Sequence, residues 1–168
     1  MRTWCGIAAL LLAIPVAGGP LRAQNLIVQD GWQGFAVRGA DGKFDRCVLY
    51  NRTIEALNAS PYDMLGVTRD ASGNLGLMVF FQPRALERAR AVPVGLKLDE
   101  RAAVTVTGDV VSDFHVVIPG PVPPATTSVL PQASTLEVTV EDKSARFTLA
   151  GIGGVLDRLT ACVTTYAR

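Results

Sequence analysis

The sequence predicts a mainly β fold, an antiparallel β-sandwich or barrel-like meander closed by one C-terminal amphipathic helix. Three observations carry this expectation. Short runs rich in Val, Leu, Phe and Thr alternate with period two, Gly, Asp, Asn and Pro clusters separate them at hairpin-like intervals, and after Leu149 the apolar period lengthens to three and four residues. With 168 residues, 49% hydrophobic and 18% charged, the chain suits one domain with an ordinary core.

The N-terminus comes first. Arg2 precedes an apolar run over 7–17, followed by Gly18-Gly19-Pro20 and Leu21-Arg22-Ala23, the layout of a secretory signal peptide. Cleavage after Ala23 makes 1–23 the signal and 24–168 the single β-rich domain. The run is shorter than the roughly 20 residues that span a bilayer and contains Pro15, so no transmembrane anchor is expected. Strands are then predicted over 31–38 and 44–52, joined across Gly39-Ala40-Asp41-Gly42, and over 62–68 and 75–82, joined across the turn-rich 69–74. Residues 83–90 begin with Pro at a tolerated first helical position and predict two exposed turns of helix. Further strands follow over 92–98, 103–107, 113–118, 135–140 and 145–149. Between the last two pairs, 119–132 carries five prolines and reads as a long loop, because Pro has no N–H to give a sheet ladder. Val155, Leu156, Leu159, Cys162, Val163 and Tyr166 recur at helical steps and predict a helix over 153–166.

Charge and cysteine usage narrow the chemistry. Loss of Arg2 and Arg22 takes the basic count from 16 to 14 against 15 acidic residues, so nothing marks a nucleic-acid partner. Cys47 and Cys162 remain in an oxidising compartment and read as a disulfide; Cys5 leaves with the signal. The bridge would staple the final helix to the first hairpin. Cys5, Cys47, His115 and Cys162 lack the short paired spacings of a zinc site, and no metal or cofactor is expected. Gly151-Ile152-Gly153-Gly154 breaks the dinucleotide fingerprint, since Leu156 stands where its third glycine belongs.

His115 is the only histidine, and Asp113 two residues earlier shares its face if both lie on one strand, which frames a carboxylate-oriented base. Ser112 falls on the opposite face of such a strand. A structural His115 is the plainer reading, and no catalytic residue is assigned. Asp99-Glu100 and Glu141-Asp142 sit in turns as surface charges. For partner binding, exposed segments outside the core are favoured: Pro121, Val122, Pro123 and Pro124 in the proline loop, and Arg84, Arg88 and Arg90 in the basic stretch. The proline loop is preferred, because restricted prolines lose less entropy on binding. Asn51-Arg52-Thr53 and Asn58-Ala59-Ser60 match the N-glycosylation pattern without informing function.

Gly31-Trp32 opening a strand, Phe44-Asp45-Arg46-Cys47, the segment from Val92 through Asp99, and Phe147-Thr148-Leu149-Ala150-Gly151 running into Leu156-Asp157-Arg158-Leu159-Thr160-Ala161-Cys162 resemble small exported proteins of α-proteobacteria, the invasion-associated locus B family. The resemblance implies a periplasmic or outer-envelope, non-enzymatic protein linked in some bacteria to host-cell entry, and brings no catalytic residues. Three readings of function follow. The first is a periplasmic or secreted binding protein whose partner is an unknown protein or envelope component. The others are an exported inhibitor of a hydrolase and a small hydrolase using Asp113 and His115.

Overall fold

The computed structural model describes residues 27–51, 63–81, 86–88 and 90–168. The predicted signal at 1–23, Arg84, and most of both glycosylation patterns lie outside them. Among the described residues ten strands form one sheet: β1 (Ile27–Gln29), β2 (Trp32–Arg38), β3 (Phe44–Tyr50), β4 (Met64–Asp70), β5 (Leu75–Phe80), β6 (Arg90–Leu98), β7 (Val104–Ser112), β8 (His115–Ile118), β9 (Thr135–Val140) and β10 (Lys143–Thr148). Their order is β1-β2-β3-β4-β5-β8-β7-β6-β9-β10, with every pairing antiparallel. Among the described residues, two α-helices accompany the sheet, α1 (Pro124–Thr127) and α2 (Ile152–Tyr166). The mainly antiparallel β fold with a C-terminal helix is the one the sequence predicts. The sheet is single and does not close; β1 and β10 are its edges.

Local chemistry explains the hairpins. Asp41 accepts the Lys43 N–H at 3.0 Å in the first predicted turn. In the β4–β5 turn Asp70 accepts from Ser72 at 2.8 Å and Asn74 at 2.9 Å. Strand β1 was not expected. It pairs with β2 through Asp30-Gly31, both at positive φ (47° and 81°), a two-residue turn whose hand matches strand twist.

Alternation puts one face of each strand into the core. Cys47 and Leu49 of β3, Leu65 and Val67 of β4, and Leu77 and Val79 of β5 are all buried, and α2 lays Val155, Leu159 and Cys162 against this half of the sheet. Cys47 and Cys162 form the expected disulfide, with Cα atoms 6.2 Å apart. Trp32, 2% exposed, donates its indole N–H to the Ala150 carbonyl at 2.9 Å and ties β2 to the start of α2.

Three expectations need correction. Residues 86–88 are irregular rather than helical, and Arg90 already belongs to β6. Leu86 is buried, with its N–H on the Asp113 carbonyl at 2.6 Å, so burial of one apolar side chain overrides the helical spacing of its neighbours. Asp113 and Phe114 form the β7–β8 turn instead of opening a strand, and β7 runs on through Ser112. Residues 119–132 are not a free loop. Val122, Thr126 and Leu130 are buried, α1 occupies the middle, and a 3-10 turn covers Leu130–Gln132.

Candidate functional site

The proline segment forms one wall of a groove. The Val122 N–H donates to the Leu75 carbonyl at 3.0 Å, and the Pro123 carbonyl accepts from Thr126 and Thr127 at 2.9 and 3.0 Å. These bonds hold the segment against the start of β5. Facing it are the β4–β5 turn with Arg69 and Asn74, and the outer side of α2 with Leu156, Asp157 and Thr160. The hollow between them measures about 530 Å³, within the range of ligand sites. Pro121 and Pro124 stand exposed on its wall, whereas Val122 is only 3% exposed and anchors the segment to the core. Pro123 is half-buried. Burial pushes the Asp70 carboxyl up, but its bonds from Asn74, Ser72 and Gly73 outweigh this and hold it below the usual carboxylate range, which keeps the turn locked at neutral pH.

The arginines lie apart, over a separate hollow of about 510 Å³ lined by Arg88, Arg90, Ala91, Asp109, Val110 and Val111. Their charge is matched locally. Arg88 pairs with Asp113 at 3.2 Å, and Arg90 with Glu141 and, at 3.5 Å, with Glu87. Among the described residues, both arginines of this surface are paired with carboxylates.

His115 begins β8 and stacks on Phe80, with ring centroids 4.1 Å apart. The stack belongs to a row of rings on the sheet face away from α2, in which Phe35, Tyr50, Phe80 and Phe114 follow at 6.0–6.4 Å. Asp113 does not orient the imidazole; it lies in the turn and pairs with Arg88. Ser112 is the cross-strand partner of His115, so the two share a face after all, because the chain reverses between them. The Ser112 hydroxyl accepts from the Phe114 N–H at 3.5 Å, and the His115 Nε2 is buried without a hydrogen-bond partner. Burial lowers the His115 pKa to about 4.

That shift predicts acid sensitivity. The unfolded chain takes up a proton near pH 6.5 while folded His115 stays neutral down to about 4, so stability falls as pH drops through this window and levels off below it. An enclosed imidazole would lose about 3 kcal/mol, and partial exposure reduces this to about 2 kcal/mol. Urea titrations at pH 7 and pH 4.5 should show the loss in the wild type and its absence in His115→Phe; equal losses in both would refute the assignment.

No family model matches the chain, and no curated protein matches it. Among solved structures it is similar to the crystal structure of invasion associated protein b from Bartonella henselae, with TM-score 0.55 and 15% sequence identity, over 83% of this chain and 97% of that one. Among the described residues no helix is long and apolar enough to cross a membrane. At this identity the likeness is one of fold alone: the antiparallel sheet with its C-terminal helix is similar in architecture to invasion associated protein b.

Proposed function

We propose that the protein is an exported, non-catalytic interaction protein of the bacterial envelope, of the invasion-associated kind, and that its partner seats in the groove between the proline segment and α2. The groove carries this reading: it is walled by prolines that are already ordered, so little entropy is lost when a partner docks. The disulfide suits an oxidising compartment, and the signal-like N-terminus supplies the route. The fold likeness to an invasion associated protein supports the setting. The hydrolase reading is less favoured, because the Asp113–His115 pairing it needs is not formed: Asp113 pairs with Arg88 and His115 stacks on Phe80.

Photo-crosslinking in cells tests the location. A photoreactive residue at Thr127 or Thr160, both on the groove wall, should give a discrete adduct. The same residue at Ala91, beside Arg88 and Arg90, should give none. Adducts from Ala91 alone would move the partner to the arginine surface, and a hydrolase recovered in the groove adduct would favour the inhibitor reading.

A further inference from the structure

Strand β4 turns Leu65 and Val67 into the core, and both are fully buried. Arg69 continues that row, because alternate residues share a face. Its cross-strand neighbours there are Cys47 and Leu75, buried on either side. Arg69 stands half-buried at the end of this row, where its charged head reaches the groove. Among the described residues Arg69 forms no ion pair. Asp70, next in sequence, points to the other face and bonds Ser72 and Asn74.

The guanidinium is nevertheless held in place. Its Nη1 donates to the Gly73 carbonyl at 2.9 Å, while Nε is shielded from bulk solvent and has no partner. This leaves Nη2, which is neither sealed from solvent nor used by the Gly73 bond, to donate to a carboxylate at the end of the guanidinium. Arg69 lines the groove together with Pro121, Pro124 and Leu156, which offer an apolar track beside the charge.

We propose that the groove recognises an acidic residue within an extended peptide of the partner, with the carboxylate on Arg69 and a neighbouring aliphatic or proline side chain on Pro121, Pro124 and Leu156. The proposal rests on the groove being the partner's seat, and supplies the missing counter-charge of Arg69. A peptide is favoured over a free carboxylate because the hollow extends along the proline wall well beyond one anionic group.

Peptide display on the oxidised protein tests it. A random twelve-residue library is selected in parallel on the wild type, Arg69→Gln and Leu156→Asp, each checked for folding by circular dichroism. Wild-type pools should enrich Asp or Glu beside Val, Leu or Pro. A synthetic peptide from that pool should lose about tenfold in affinity when its acid becomes the amide, and Arg69→Gln should bind both versions equally, at the weaker level. If Arg69→Gln does not fold, Arg69→Lys and the acid-to-amide peptide pair read the same coupling. Selected peptides that need Leu156 but bind equally with acid or amide overturn the carboxylate and leave the groove standing. No enrichment, or binding indifferent to Leu156→Asp, overturns both.

Discussion

Removing the Cys47–Cys162 disulfide is expected to cost about 4 to 5 kcal/mol, on the chain-entropy account of a loop of this size. The bridge spans 115 positions and joins β3 to α2, so without it the unfolded chain regains nearly the whole freedom of the domain. Domains of this class have about 5 to 15 kcal/mol in all, so the loss is a large share of the total. Cys47→Ser and Cys162→Ser should fall by similar amounts, because either deletes the same bond and both cysteines are buried. Urea unfolding with and without reductant measures it. A change below about 1 kcal/mol in both variants would contradict the entropic role of the bridge.

Gly34→Ala is expected to be nearly as damaging. Gly34 lies opposite Leu49 in the β2–β3 ladder, and a methyl there would be driven into the Val48 carbonyl oxygen and to 2.8 Å from the Leu49 Cα. Both obstacles are backbone, so relief requires the strands to part. Overpacking of this kind costs about 3 kcal/mol or more. Gly95→Ala is the matched control: its methyl would meet the Thr139 Cβ at 3.5 Å, an ordinary contact, and should change stability by less than about 1 kcal/mol. Thermal unfolding of the two variants side by side decides the matter, and equal midpoints would show that β2 and β3 yield more easily than their spacing implies.

Much of this architecture is legible in the amino-acid order where local chemistry decides it. Asp41-Gly42, the segment 69–74 and Glu141-Asp142 mark reversals by turn chemistry alone, and the helical spacing from Val155 to Tyr166 marks α2 within one residue at its start. Strand β1 is hidden because three residues cannot display a period. Burial of Leu86, Val122 and Leu130 is hidden for another reason: each is set by long-range contact, and no spacing in the neighbouring sequence announces it.

The candidate site is half legible. Proline richness points to Pro121 and Pro124, which line the groove, but cannot show that Val122 faces inward or that α2 lines the opposite side. Arg69 is missed because the predicted strand ends at Thr68 and Arg69 falls in the segment read as a turn, whereas β4 runs on to Asp70 and so continues the row of Leu65 and Val67. Ser112 and His115 were separated by counting along one strand, when a two-residue turn at Asp113 and Phe114 sets them opposite each other.

Because the sheet ends at β1 and β10 instead of closing on itself, its backbone presents two open rims to other molecules. The rims differ in hazard. Three residues of β1 offer too short a template for another chain to lengthen, while β10 carries the exposed Arg146, and Lys143 at its start is paired with Asp142. Colloidal behaviour at high concentration is therefore set at the margins of the sheet: a chain that adds itself to β10 must bring its own strand against the exposed Arg146, which works against end-to-end growth of sheets.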